Sequence, residues 1–460
     1  MTNVNGKQVA VLGLGRSGLA AAKLLSLHGA QVVILDDKTP EKLATWIEKA
    51  QGLARTRLAL GGGESAEISS SDLVVTSPGV PTSHALLEEA RQKGIPVVGE
   101  MELAYGYCAA PVAAVTGTNG KTTTTTLLTQ MILRGGRKAV ACGNIGTAFA
   151  DAVFALSAED VAVLEVSSFQ LETIKEFHPA IAAILNVTPD HLDRHGSMQT
   201  YVQAKARIFE NQGVNDAVLL NVSDKYTPLF TSMAKSRIHL FGFPKDGRGE
   251  GKPGCYVAGD YLELLGRKLF KISDLRIPGP HNVENACAAS LAASLMGTSD
   301  SAIAQTLEIF EGVEHRLEDA GEIGGVRFVN DSKGTNVDSV VKALESFKRP
   351  IVLILGGRDK AGDFTRLIPL IQEKVTRVVA FGECKGKVAS QLSGAVTVVE
   401  AGSLEETVKG ALAVSEKGGT VLFSPGCASF DMFLNYEDRG RQFKALVKQL
   451  RETRLGAAQA

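Results

Sequence analysis

The sequence predicts an α/β protein of three domains, two Rossmann-like domains flanking a central phosphate-loop domain with a mainly parallel sheet. Three observations predict this. At 460 residues the chain exceeds one ordinary core, so two to four domains are expected. Short apolar strand candidates alternate with helix-length segments, the pattern of wound parallel sheets. Two glycine loops, G-L-G-R-S-G at 13–18 and G-T-N-G-K-T at 117–122, each lie between an apolar run and an amphipathic one.

Composition narrows the classes. Apolar residues make up 44% and charged residues 22%, the balance of a soluble globular chain. A net charge of −1 argues against a general nucleic-acid binder and a polybasic membrane anchor. No apolar stretch approaches a bilayer span, and the first residues carry no basic-then-apolar leader. Cys108, Cys142, Cys255, Cys287, Cys384 and Cys427 are scattered without a C-x-x-C pair. That spacing predicts reduced, buried thiols in a cytoplasmic protein rather than a zinc site or a disulfide framework. The 48 glycines collect at strand ends, where ligand loops of α/β proteins lie.

The first domain is expected over 1–99. Residues 9–12 form a strand, followed by the glycine loop and an apolar helix over 19–27. The next strand, 31–35, is closed by Asp36 and Asp37. Gly13 suits the tight turn, Gly15 a close backbone approach, and Gly18 packing of helix on strand. Asp36 stands where a ribose-binding acid belongs. Alone, this is a dinucleotide fingerprint. A scaffold holding another nucleotide, or none, reads the same way. A strand over 72–76 leads into Ser77-Pro78-Gly79, and a helix over 85–93 and a strand over 95–98 follow.

The second domain, 100–312, opens with V-T-G-T-N-G-K-T-T-T-T-T between a strand at 111–115 and a helix bearing Leu127, Leu128, Met131 and Ile132 on one face. Backbone N–H groups and the helix N-terminus there suit phosphate oxygens. Lys121 offsets β/γ charge, and Thr122 offers a hydroxyl to Mg²⁺. The run lacks the first glycine of the usual G-x-x-x-x-G-K pattern. Glu165 ends an apolar strand and, as a buried carboxylate, needs a cation or strong donors. His191 follows the strand at 181–187, as a second metal ligand or as a capping residue. Lys205 lies on a helix over 201–209, where nothing local lifts it above a solvated charge. The segment 256–264 predicts a hairpin around Gly259-Asp260. Residues 278–282 are expected as a loop before a helix over 285–296. If that helix begins by Asn282, the amides of Asn282 and Asn285 share a face and suit a base edge, helix capping being the equal alternative.

The third domain, 313–460, repeats strand and helix. Strands are expected at 326–329, 351–355, 377–381, 396–399 and 420–423, helices at 337–347 and 404–415, and a frayed tail from 455. The segment Asn330–Asn336 is too polar for core and belongs to a ligand loop or a solvated one. Residue chemistry alone thus gives a nucleotide loop, a metal carboxylate and two flanking Rossmann-like domains, which suit an ATP-driven transfer or ligation.

In this order, V-T-G-T-N-G-K-T-T-T, E-V-S-S-F-Q-L-E, N-V-T-P-D-H-L-D, H-N-V-E-N-A, E-H-R, N-D-S-K-G-T-N, L-G-G-R-D-K and S-P-G-C-A-S-F-D resemble the Mur ligases over essentially the whole chain. Within the family the pattern is most similar to the branch adding D-glutamate to UDP-N-acetylmuramoyl-L-alanine. The alanine-adding branch typically has His at the place of Asn119 and lacks the S-S-F-Q-L-E run and the helix lysine. The diaminopimelate- and dipeptide-adding branches lack the N-terminal glycine fingerprint. The resemblance implies that Gly117, Thr118, Asn119, Gly120, Lys121, Thr122 and Thr123 hold ATP. Asn282, Asn285, Arg316 and Asp331 would complete the nucleotide site. It implies two Mg²⁺ ions on Thr122, Glu165, His191 and Lys205, the last as a carbamate formed with CO₂, with Lys121, Glu165, His191 and Lys205 catalytic. Gly15, Arg16, Ser17, Asp36, Ser77, Asn144 and Ser167 would face the UDP-sugar. Lys333, Thr335, Lys360, Ser429 and Tyr436 would face D-glutamate. Tyr436 and Asp37-Lys38 depart from the family's usual Phe and Thr-Arg. The expected partners are these small molecules alone, with no nucleic acid and no membrane insertion, on a cytoplasmic monomer. The remaining alternatives are a sister ligase using another amino acid and an NAD-dependent oxidoreductase.

Overall fold

The computed structural model describes residues 3–62, 65–244, 252–359 and 362–459. Its contacts divide the chain into two compact units. One comprises Met1–Val187, Arg194–Ile272 and Glu284–Leu307; the other comprises Thr188–Asp193, Ser273–Val283 and Glu308–Ala460.

The first unit holds two sheets. One is five-stranded, in the spatial order Thr56–Leu60, Gln31–Asp36, Gln8–Leu12, Leu73–Thr76, Val97–Gly99, all parallel. The chain thus winds outward from Gln8–Leu12 in both directions, which opens a crevice at the carboxyl end of that strand. The glycine loop of 13–18 lies at this switch point and leads into the helix Arg16–Leu27. The other sheet is nine-stranded. Its order is Arg267–Lys271, Tyr261–Leu264, Gly254–Ala258, Arg237–Gly242, Ala217–Asn221, Ile181–Ile184, Val112–Thr116, Val161–Glu165, Ala139–Gly143. From Gly254–Ala258 to Ala139–Gly143 every pairing is parallel, and the expected hairpin adds the antiparallel edge. One core joins the two sheets, with Leu24, Leu25, Met101 and Phe149 buried together with Val9, Ala114 and Leu164.

The second unit carries a six-stranded sheet, in the order Glu318–Ile323, Val326–Asn330, Thr420–Phe423, Ile351–Gly356, Val375–Phe381, Val398–Glu400. Only the Glu318–Ile323 edge is antiparallel. Thr420–Phe423 is inserted between Val326–Asn330 and Ile351–Gly356, parallel to both, so the loops after Asn330, Gly356 and Phe423 leave one edge side by side. Apolar clusters cover both faces of this sheet, one around Leu353 and Leu422, the other around Phe328 and Phe443.

Four local expectations change. The helix at 285–296 begins five residues earlier, as Pro280–Leu295, because Pro280 occupies a first-turn position where its missing N–H costs nothing. The segment 278–282 is therefore not all loop. The strands Thr56–Leu60 and Glu318–Ile323 were not predicted. The first is half-buried without clean alternation, and the second is charged and broken by Gly321. The terminal helix runs Tyr436–Gln459 in place of a frayed tail. Among the described residues no helix is long and apolar enough to cross a membrane.

Candidate active site

The phosphate loop leaves the strand Val112–Thr116 and enters the helix Lys121–Arg134, which buries Leu127, Leu128, Met131 and Ile132 as its spacing predicted. Gly120 caps that helix at φ 86°, a conformation strained for a side chain, and a Cβ there would displace Asn285 Oδ1, which it meets at 2.2 Å. Asn186 braces the loop from the neighbouring strand end. Its Oδ1 accepts from the Asn119 backbone N–H at 2.9 Å, its Nδ2 donates to the Asn119 carbonyl at 3.0 Å, and its own carbonyl accepts from Thr118 N–H at 2.9 Å. Lys121 Nζ donates to the Gly117 and Thr118 carbonyls at 2.8 Å each, folding the ammonium over the loop. Thr123 is buried in the first helical turn.

Register places Glu165 beside Val115, against the start of this loop. The carboxylate is 1% exposed. Thr122 Oγ1 donates to its Oε2 at 2.8 Å and Asn144 Nδ2 to its Oε1 at 2.8 Å. Lys205 is also 1% exposed, which overturns the solvated-charge reading from its sequence neighbours. Its Nζ donates to the Gly117 carbonyl at 3.0 Å and lies 4.5 Å over the Tyr201 ring, whose hydroxyl pairs with Thr118 Oγ1 at 3.2 Å. Thr122, Glu165, Asn144 and Lys205 therefore converge on one loop. The oxygen donors of Thr122 and Glu165 suit Mg²⁺. Asn285 reaches the same loop, where its Oδ1 accepts from Thr124 Oγ1 at 3.3 Å.

The first glycine loop is built differently. Leu14 N–H donates to Asp36 Oδ2 at 2.8 Å and Lys38 N–H to Asp36 Oδ1 at 2.9 Å, which fixes the predicted ribose acid by its own chain. Ser77 Oγ donates to the Gly13 carbonyl at 3.0 Å. Arg16 Nη1 donates to the Gly146 carbonyl at 2.7 Å, tying this loop to the turn that carries Asn144. Ser17 lies in the first turn of Arg16–Leu27. A Cβ at Gly18 would lie 1.9 Å from the Gly13 carbonyl oxygen, whereas a Cβ at Gly15 would meet nothing within 4 Å. Ser167 caps the short helix Ser168–Leu171 in a reciprocal capping box with Gln170.

In the second unit, Asp331 follows the strand Val326–Asn330 and is 3% exposed. Ser424 Oγ donates to it at 2.7 Å, and burial, partly offset by Arg316, pushes its carboxyl up to about 6. Lys333 Nζ lies 5.2 Å over the Tyr436 ring. Gly426 N–H donates to the Gly334 carbonyl at 2.8 Å, which joins the N-D-S-K-G-T loop containing Thr335 to the S-P-G loop that leads to buried Ser429. Asn282 Nδ2 donates to the Pro278 carbonyl at 2.6 Å, the capping alternative for this amide. His191 belongs to this unit, at φ 54°, with Nε2 3.6 Å from Asp190 Oδ2. Lys360 lies outside the described residues.

Comparison with known proteins identifies the family. A model described as the Mur ligase MurD-like N-terminal domain matches residues 7–99, the Mur ligase middle domain matches 115–293, and the Mur ligase glutamate ligase domain matches 315–427. The UDP-N-acetylmuramoylalanine–D-glutamate ligase of Caldanaerobacter subterraneus subsp. tengcongensis is 43% identical over 97% of this chain and 99% of its own. The enzyme of that name from Thermoanaerobacter pseudethanolicus is 44% identical over 97% and 99%. This chain is a Mur ligase. Solved structures place the same fold at lower identity. The Thermotoga maritima UDP-N-acetylmuramate-alanine ligase MurC gives a TM-score of 0.61 at 20% identity, covering 96% of this Mur ligase and 99% of that chain. The MurF ligase from Thermotoga maritima in complex with ADP gives 0.61 at 15%, covering 98% and 96%.

Residue types alone did not single out three groups that organise this Mur ligase's loops. Asn186 stands one residue past an apolar run, inside N-V-T-P-D-H, and that position was its only signal. Arg194 donates to the Pro78 carbonyl at 2.8 Å and to Glu172 at 2.7 Å, clamping the loop after Ser77. Arg439 is fully buried and donates to the Ser332 carbonyl at 2.7 Å and the Cys427 carbonyl at 3.1 Å; burial lowers its guanidinium to about 10. Nothing in the local sequence marks a buried arginine 107 positions from its partner Ser332.

Proposed function

We propose that this Mur ligase adds D-glutamate to UDP-N-acetylmuramoyl-L-alanine at the expense of ATP, in the assembly of peptidoglycan precursors. One observation carries the reading: identity of 43–44% to enzymes of that activity runs through 97% of the chain, all three domains included. The site's chemistry supports it. The substrate carboxylate attacks the γ-phosphoryl of ATP, giving an acyl phosphate and ADP. The amine of D-glutamate then attacks the acyl carbon, and phosphate leaves from the tetrahedral intermediate. No enzyme nucleophile is required; positioning and electrostatics suffice.

In this reading residues 1–99 hold the UDP-sugar, 100–312 hold ATP and 313–460 hold the amino acid. Lys121 and the backbone of 117–123 take the phosphates, with Asn282, Asn285, Arg316 and Asp331 on the nucleoside side. Arg16, Asp36, Ser77, Asn144 and Ser167 face the UDP-sugar. Lys333, Thr335, Lys360, Ser429 and Tyr436 face D-glutamate. Thr122, Glu165, His191 and a carbamate on Lys205 are the ligands of two Mg²⁺ ions, which when bound offset phosphate charge. Burial of Lys205 against the Gly117 carbonyl supports the carbamate, since carboxylation turns an expensive buried cation into a metal ligand. Lys205→Ala is expected to lose activity and to regain part of it with added short carboxylic acids; wild-type turnover without them refutes the role. The enzyme is read as a cytoplasmic monomer.

The test is phosphate release with ATP, Mg²⁺, UDP-N-acetylmuramoyl-L-alanine and D-glutamate, omitting one component at a time and replacing D-glutamate by L-glutamate or L-alanine. Release that needs every component and strongly prefers D-glutamate is expected. Release with another amino acid moves the chain to a sister ligase.

A further inference from the structure

Two cysteines in the second unit have no part in the ligase chemistry. Cys384 follows the strand Val375–Phe381, and Cys427 follows Thr420–Phe423. These strands flank Ile351–Gly356 in parallel, so both cysteines leave the same edge of the sheet. Their Sγ atoms are 3.2 Å apart, although the residues are 43 positions apart. Both are free thiols. The backbone aligns them from either side of Gly357. Cys384 N–H donates to the Gly357 carbonyl at 3.0 Å, and a Cβ on Gly357 would lie 3.2 Å from Cys427 Cβ. Access is unequal, since Cys384 is 5% exposed and Cys427 is sealed.

We propose that Cys384 and Cys427 form a reversible oxidation site, closed to a disulfide by a peroxide and reopened by a small dithiol, that acts on the loop carrying Ser429. The hydrogen bond from Cys427 lowers the Cys384 thiol and raises its partner, so Cys384 is the attacking sulfur. Its thiolate attacks one peroxide oxygen, the O–O bond breaks, and hydroxide leaves to take up a proton. The Cys427 sulfur then attacks the resulting sulfenic acid, and its proton departs with the hydroxyl as water. Two thiols and one peroxide become one disulfide and two waters.

Closure shortens the sulfur–sulfur distance to about 2.05 Å. Closure draws Cys427 toward Cys384 and pulls on the backbone that carries it. Its carbonyl accepts from Arg439, Ala428 exchanges backbone hydrogen bonds with Arg358, and Ser429 is two residues on. The displacement therefore reaches the D-glutamate side of the site. This effect on D-glutamate rests on the ligase reading; the disulfide itself does not.

The protein is treated with hydrogen peroxide, its remaining thiols are alkylated, and its peptides are weighed. The expected product is a peptide pair joined through Cys384 and Cys427, about 2 Da lighter than the sum of the two free peptides and separated again by dithiothreitol. The KM for D-glutamate is expected to rise at least about threefold with little change in the KM for ATP. Cys384→Ser keeps the untreated activity and abolishes both changes. Cys255 and Cys287, buried and hydrogen-bonded to each other in the first unit, serve as the sealed control and stay alkylatable after denaturation. Two alkylated thiols at 384 and 427 after treatment overturn the site. A cross-link without a change in KM overturns its action on the loop. Equal loss of activity in Cys384→Ser places the oxidation elsewhere.

Discussion

The chain contains two glycine loops, each between a parallel strand and a helix, and they are held in opposite ways. In the first, the backbone is fixed by Asp36 and Ser77, and the space above Gly15 is open. In the second, an ammonium and two hydroxyl-bearing threonines occupy the loop, and Glu165 and Lys205 lie beneath it. The first offers backbone N–H groups and shape. The second adds cationic charge and a buried carboxylate. A glycine fingerprint therefore specifies a phosphate-sized approach of backbone, and its surroundings decide which nucleotide and whether chemistry follows.

That difference can be broken at several points. The largest effect is expected at Lys121. Lys121→Ala removes the ammonium folded over the second loop, and phosphate release should fall by on the order of a thousandfold while thermal stability changes little. Turnover near wild type would remove Lys121 from the chemistry.

Gly18→Ala should break the first loop by structure rather than by charge. Its Cβ would lie 1.9 Å from the Gly13 carbonyl oxygen, and neither backbone can yield. A loss of about 2–4 kcal/mol is expected, read from urea unfolding. Unchanged stability would mean that the helix Arg16–Leu27 does not need this close approach.

Glu100, near Arg16, is 1% exposed; its Oε1 accepts from Ala150 N–H at 2.7 Å while Oε2 has no hydrogen-bond partner among the described residues. Burial raises its carboxyl to about 7, and nearby Arg16 offsets only part of that. A carboxyl raised in the fold favours the folded state when protonated. Its contribution is complete below the unfolded value near 4.5 and is lost as pH rises through about 7. Glu100→Gln mimics the protonated form, so the variant should match wild type near pH 4.5 and exceed its stability by up to about 3 kcal/mol above pH 8. Parallel pH profiles would show that folding does not raise the Glu100 carboxyl.

The smallest effect is expected at Gly15. A Cβ there meets nothing within 4 Å, so Gly15→Ala should fold normally and weaken UDP-sugar binding about tenfold, or about 1.4 kcal/mol. Unchanged affinity would place the diphosphate away from this turn.

Much of this organisation was legible in the sequence because apolar runs ending in glycine or polar loops are both the strands and the ligand edges of parallel sheets. The phosphate loop, Glu165 and the hairpin at Gly259-Asp260 follow from residue type and spacing. Elements whose stability comes from partners were not legible. Glu318–Ile323 is a polar edge strand fixed by pairing with Val326–Asn330. The burial of Lys205 depends on Tyr201 and Gly117 together, and only the family resemblance pointed to it. Arg439 and the Cys384–Cys427 contact join segments far apart in the chain, so no local pattern announces them.

The central claim is that the two loops serve two different nucleotides. It is tested most directly by equilibrium titration of UDP-N-acetylmuramoyl-L-alanine, a non-hydrolysable ATP analogue and NADH against wild type, Gly15→Ala and Lys121→Ala. The account predicts that Gly15→Ala weakens the UDP-sugar alone, that Lys121→Ala weakens the ATP analogue alone, and that NADH binds none of the three proteins. Saturable NADH binding lost in Gly15→Ala, or loss of the ATP analogue in that variant, would contradict it.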